Sequence, residues 1–278
     1  MSLRFLSLAS GSSGNCYFLG TEEYGILIDA GIANRTIRKV LNDHGIPFEQ
    51  IIAICITHDH ADHIKSAGFL GEKCGIPIYT TAKIKEGMNR NYCMADKIYS
   101  AHREIIKDIP FSIRDFKITA FEVPHDGNDN VGYLIEYNNI RFAFATDLGE
   151  ITPTATHYLE QADYLVIESN YDHSMLVGGS YPYHLKQRIL APTGHMDNAD
   201  TANFLAALYT RAGYSPDSID ELKPKYVFLC HLSRDNNHPE LAYKTVEQRL
   251  YEEGIRVGKD VQVVPLTRNH PSLFYHFE

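Results

Sequence analysis

No apolar run in this chain of 278 residues approaches the roughly 18 needed to cross a bilayer, so no membrane-spanning helix is expected. The stretch from Met1 to Ser10 lacks a basic leader followed by sustained apolar residues, and it reads as a first strand rather than a signal peptide. Cysteine is scarce: Cys16, Cys55, Cys74, Cys93 and Cys230 are scattered, with no C-x-x-C spacing. An odd number without a framework points to a reducing compartment, and the cytoplasm is the expected location. Basic residues are in deficit, 26 against 35 acidic, for a net charge of −9. That excludes a global positive field of the kind that coats DNA, though not an enzyme whose bound dications supply local positive charge. No Pro/Gly/Ser-rich linker divides the chain, so residues 1–278 read as one domain, long enough to bury a substantial core.

What is present is an alternation of short apolar strands with amphipathic helices. Strands are expected at Leu3–Leu8, Cys16–Leu19, Gly25–Ile28, Ile51–Ile56, Pro77–Thr80, Phe116–Val123, Val131–Tyr137, Ile140–Ala145, Tyr164–Ile167 and Tyr226–Cys230. The continuous run Ile51–Ile56 suits a strand covered on both faces. Asn138-Asn139 suits a hairpin turn. Helical spacing places Ile37, Val40 and Leu41 on one face, with Gly45 as a stop. Further helices are expected at Ala155–Gln161, Tyr183–Leu190, Asp200–Arg211 and Pro239–Glu253, the last behind a capping Asn237 or His238.

Five of these strands run straight into a residue able to hold a metal. Ile51–Ile56 leads to Thr57-His58-Asp59-His60-Ala61-Asp62-His63, Phe116–Val123 to His125, and Ile140–Ala145 to Asp147. Tyr164–Ile167 leads to Glu168 and Tyr226–Cys230 to His231. Functional groups of sheets packed between helices gather at strand carboxyl ends, where loops converge on one rim. Taken singly, His125 or His231 reads as a hydrogen-bonded structural histidine and Asp147 as a turn or cap residue. The run from His58 to His63 is different, because three imidazoles and two carboxylates buried together without a cation would repel and desolvate one another. His58 and His60, two apart on an extended segment, project to one side and can chelate one ion. Asp62 and His63, where the chain turns into a helix, can face a second. Imidazole with carboxylate suits Zn²⁺ or Mn²⁺ rather than Ca²⁺ or Mg²⁺.

Thr57-His58-Asp59-His60-Ala61-Asp62-His63 resembles the T-H-x-H-x-D-H signature of the metallo-β-lactamase superfamily, and Asp29 resembles the upstream aspartate that braces its metal loop. His125, Asp147 and His231 match the remaining ligand positions in order. The resemblance implies an α/β fold, a four-layer αββα sandwich of two mixed β-sheets. It also implies two divalent ions per chain, zinc or manganese, with His58, His60 and His125 on one, Asp62, His63 and His231 on the other, and Asp147 bridging. Ser10-Gly11-Ser12-Ser13-Gly14-Asn15, His125-Asp126, Glu168-Ser169-Asn170, Gly194-His195, His231-Leu232-Ser233 and Asn236-Asn237 are similar to the YycJ/WalJ-like group. One departure is Met196-Asp197 after His195, where that group leads one to expect Leu-Ser.

That group implies a dinuclear phosphodiesterase, a 5′–3′ exonuclease acting on DNA, single-stranded above all, with RNA also open and DNA repair as its setting. Two ions lower the pKa of a shared water. In this scheme Asp62 orients or deprotonates that water, and His195 protonates the leaving oxygen or else caps a helix. Lys186 and Arg188 either neutralise flanking phosphates or form a solvated helix face. The turn at Ser12 and Ser13 either brings backbone amides to a phosphate or is a plain hairpin. Alternatives are a hydrolase of small phosphodiesters or thioesters, and a metal-stabilised regulatory protein with a vestigial centre.

Overall fold

Strand positions follow the apolar runs. A computed structural model describes residues 2–211 and 223–278. Its elements begin β1 (Leu3–Ala9), β2 (Cys16–Gly20), β3 (Gly25–Ile28), α1 (Asn34–Asp43), β4 (Ile51–Cys55), α2 (Ala61–Ile64), α3 (Ala67–Glu72) and β5 (Ile78–Thr80). They continue with α4 (Ala82–Arg90), β6 (His102–Glu104), β7 (Phe111–Ile113), β8 (Phe116–Glu122), β9 (Val131–Tyr137), β10 (Ile140–Ala145), α5 (Pro153–Leu159) and β11 (Tyr164–Glu168). The last are α6 (His173–Gly178), α7 (Tyr183–Leu190), α8 (Asn198–Arg211), β12 (Tyr226–Cys230), α9 (Pro239–Glu252), β13 (Gln262–Pro265) and β14 (Tyr275–Phe277). The chain clusters into two compact units, where the sequence reads as one domain. Unit 1 is Met1–Ile113, Gly127–Val131 and Thr267–Glu278, and unit 2 is Arg114–Asp126 and Gly132–Leu266.

Unit 1 carries a mixed sheet in the order β14-β1-β2-β3-β4-β5-β6. Its β14-to-β3 half is antiparallel and its β3-to-β6 half parallel. Every residue of β1, β2 and β3 is buried, as unbroken apolar runs require of strands covered on both faces. Helix α1 buries Ile37, Val40 and Leu41, and Gly45, with φ +70°, ends it as expected. Ile28 pairs with Cys55 across β3 and β4, which brings Asp29 level with the start of the histidine-rich loop.

Unit 2 repeats the plan with strands in the order β13-β12-β11-β10-β9-β8. Strands β10 to β13 are parallel, and β9–β10 is the expected hairpin, with Tyr137 opposite Ile140 and Asn138 at φ +53°. One face of the sheet sets Ala143, Leu165, Ile167, Val227 and Leu229 into a core with Leu159 of α5, Leu205 and Tyr209 of α8, and Val246 and Leu250 of α9. The alternate residues carry an aromatic stack, in which Phe142 lies 5.1 Å from Phe144, 5.6 Å from Tyr164 and 6.2 Å from Phe228, ring centre to ring centre. In parallel register Ala145 pairs with Ile167 and Glu168 with Cys230. The register thus delivers Asp147, Glu168 and His231 to one end of the sheet.

Short elements escape the periodicity. Strands β6, β7, β13 and β14 and helices α3, α4 and α6 have no counterpart in the sequence reading, being three to nine residues long. Because Phe142 is fully buried within its stack, Phe142→Ala is expected to cost about 3–5 kcal/mol. The midpoint of urea unfolding measures this, and a loss under about 1 kcal/mol would show that the aromatic face is not core.

Candidate metal-binding clusters

In unit 1 the histidine-rich loop leaves β4 extended and enters the single turn of α2, so His58, His60, Asp62 and His63 come together. The His58 ring centre lies 4.0 Å from that of His63 and 4.6 Å from that of His60, and Asp62 Oδ2 is 3.6 Å from His63 Nε2. Asp29, fully buried and left-handed at φ +61°, anchors this loop. Its carboxylate accepts from the Thr57 amide (2.8 Å), the Thr57 hydroxyl (2.8 Å) and His63 Nδ1 (2.7 Å). Burial pushes the Asp29 carboxyl up, opposed by the charge and hydrogen bond of His63 and by the bonds from Thr57. The Thr57 hydroxyl, its proton given to Asp29, accepts from His58 Nδ1 at 3.0 Å. Both rings are therefore tied by Nδ1.

Asn15, which sequence reasoning named only within a motif, lies against this cluster. Fully buried, it takes the Gly11 amide (2.8 Å) and Tyr17 hydroxyl (3.2 Å) on Oδ1 and turns Nδ2 to His63 Nε2 at 2.9 Å. Its backbone amide bonds the Asp62 carbonyl at 2.7 Å. At Gly31 a Cβ would collide with that same carbonyl, so only glycine admits this approach.

In unit 2 the anchor is Glu168, which the sequence marks as a strand-end acid able to hold a metal and the resemblance leaves out of its ligand set. It is fully buried, and its Oε1 receives Nδ1 of His195 and Nδ1 of His231, each at 2.8 Å. Oε2 accepts the amides of Leu148 (3.1 Å) and Met196 (3.2 Å). Desolvation alone would raise its pKa, but the charge of His195 and the hydrogen bonds from both imidazoles outweigh it and hold the carboxyl below its ordinary value. His231, left-handed at φ +53°, also sets Nδ1 3.1 Å from Asp147 Oδ1. His125 ties Nδ1 to the Gly194 carbonyl at 2.9 Å and points Nε2 toward Asp147 Oδ1 at 3.8 Å. Asp147, Glu168, His195 and His231 each offer a donor atom within 4.8 Å of the others. His195 is the most accessible of these, 17% exposed against 0–3% for the rest.

The Met-Asp departure is accommodated locally. Met196 fills an apolar position at 1% exposure, and Asp197 Oδ1 accepts the Ala199 amide at 2.8 Å, which a serine cap would also do for α8. The remaining predicted contacts lie on other elements. Lys186, on α7, donates to the carbonyls of Val177 and Gly179, both at 2.7 Å. Arg188 forks onto Asp126, the neighbour of His125, with one arm at 3.1 Å. Ser12 and Ser13 are exposed on the turn, and Ser13 bonds Asn269 at 3.1 Å.

The donor set fits divalent cations. Imidazoles such as His58, His125 and His231 are held at Nδ1 and keep Nε2 as a donor, and buried carboxylates stand among them, a mixture of nitrogen and oxygen donors that suits a divalent cation.

The family model for the Beta-lactamase superfamily domain matches residues 24–214. Over 275 residues the chain is 34% identical to exodeoxyribonuclease YycJ of Bacillus anthracis, covering 95% of each. It is 33% identical over 261 residues to exodeoxyribonuclease WalJ of Streptococcus pneumoniae, covering 94% of this chain and 93% of that one. The metallo-beta-lactamase fold protein YhfI from Bacillus subtilis superposes with a TM-score of 0.70 at 17% identity, over 99% of this chain and 100% of that one. The chain belongs to the metallo-β-lactamase superfamily of metal-dependent hydrolases, in the group of the YycJ and WalJ proteins.

Proposed function

We propose that this protein is a dinuclear phosphodiesterase that shortens DNA strands from the 5′ end, single-stranded DNA above all. The observation that carries the reading is the pair of imidazoles, His195 and His231, held on one buried carboxylate beside Asp147. The names of the YycJ and WalJ relatives support DNA as the polymer. The ligands proposed are His58, His60, Asp62 and His63 of unit 1 and His125, Asp147 and His231 of unit 2. Bound there, zinc or manganese ions would supply positive charge to the phosphate and acidity to a water.

The chain's own residues do the rest. Asp62, partly open at 22% exposure, orients the attacking water and receives its proton. Glu168 stays ionised and fixes His195 through Nδ1, which leaves Nε2 to carry a proton toward the leaving oxygen. The same carboxylate fixes His231, so one group sets the orientation of a ligand and of the acid together.

His60→Ala and Asp147→Ala are expected to abolish metal-dependent phosphodiesterase activity with circular dichroism unchanged, and full activity in either variant would reject the scheme. His195→Ala is expected to lower turnover about 10²–10⁴-fold with metal content intact. Lost metal would instead make His195 a ligand. End-labelled single-stranded DNA and RNA, incubated with Zn²⁺- or Mn²⁺-loaded protein, are expected to shorten from the 5′ end, with rates falling as salt rises. Turnover of bis(p-nitrophenyl) phosphate without any shortening of polymer would assign the chemistry to a small substrate.

A further inference from the structure

A cavity of about 210 Å³ opens in unit 1 at the Gly11–Gly14 turn. We propose that it receives the phosphorylated terminal nucleotide of the substrate strand, a reading that rests on the phosphodiesterase function above. Its size is below the roughly 300–1,000 Å³ of pockets for larger organic ligands, so it suits one base and not a run of them. Leu8, Ile32, Val40 and Pro271 give it an apolar wall, the surface against which a base packs. Lys65 and Arg268 stand at its edge with Ser13 and Asn269, and among the described residues that line it none is acidic. Two cationic side chains at one edge favour an anionic ligand over a neutral or cationic one.

A second observation agrees. Helix α1, ten residues long, starts at this cavity, where Ala33 and Thr36 also line the wall. Ala33 offers no side-chain cap, and the first turn of α1 holds no acidic residue. The positive end of the helix is thus left to whatever occupies the cavity, and a phosphate suits it. The cavity is also tied to the metal-binding loop. Lys65 lies two residues beyond His63, and the turn that supplies Ser13 is held by Asn15, whose amide reaches His63 Nε2. A strand end seated here would place its terminal phosphate by Lys65 and Arg268 and run its next linkage toward the ligands, which makes cleavage start at an end.

Titration calorimetry of the intact protein tests this with four probes: 2′-deoxyadenosine 5′-monophosphate, its 3′-monophosphate, deoxyadenosine and inorganic phosphate. The 5′-monophosphate is expected to bind at least about 10-fold tighter than the 3′-monophosphate, the nucleoside or phosphate alone, and Lys65→Gln/Arg268→Gln is expected to remove that advantage with metal content unchanged. Strands bearing 5′-phosphate, 3′-phosphate or hydroxyl ends are then compared. Wild type is expected to favour the 5′-phosphorylated end by about 10-fold, and the double variant to lose the ratio. Equal rates on all ends, or a preference that survives in the variant, would overturn the proposal while leaving the nuclease intact. If no strand is cut at all, the phosphodiesterase reading fails instead, and the nucleotide titration alone decides whether the cavity binds a terminal nucleotide.

Discussion

A carboxylate buried without water is tolerated only if its surroundings donate enough hydrogen bonds, and both halves of this molecule are organised around one. Asp29 takes three donors and Glu168 four. Removing a partner from either would leave an uncompensated buried charge, which costs several kcal/mol. The same bonds fix direction. An imidazole that gives its Nδ1 proton to a buried acid cannot spin, so it presents one defined lone pair. Stability and chemistry therefore draw on the same few contacts.

Backbone geometry turns the chain at the residues that carry these bonds. Asp29 closes β3 and His231 follows β12, and both adopt a left-handed conformation that costs of order 1 kcal/mol outside glycine. Each lies at the carboxyl end of a strand in the parallel half of its sheet, where the chain must turn sharply out of a buried ladder. Asn237 holds the neighbouring turn after β11, donating to the carbonyls of Ser169 and Asn170.

The strands, and the polar residues gathered where they end, were legible because both derive from one contrast, a run of apolar residues that stops at a histidine or an acid. Gly25–Ile28, Val131–Tyr137, Ile140–Ala145 and Tyr226–Cys230 appear in the structure with the bounds the sequence implies. What stayed hidden was the partnership among polar groups. Nothing in the spacing of Glu168, His195 and His231 says that one oxygen serves both rings, since residues 27 and 63 apart meet only through tertiary packing. Asn15 was equally opaque, a motif residue until its amide is seen against His63. Helix α4 escaped because Gly87 sits inside it, and that glycine is explained by the Asp59 carboxylate and the Asn128 amide, with which a Cβ there would collide.

The path of the chain has a consequence for biogenesis. Unit 1 borrows its edge strand β14 from residues that follow all of unit 2, and Ser7 bonds Ser272 across 265 positions. On the ribosome the first sheet must therefore wait, its β1 edge uncovered, while residues 132–266 emerge and are free to fold ahead of it. An open strand edge invites pairing with a foreign strand, so a nascent chain stalled before Thr267 is the form of this protein most exposed to misassociation.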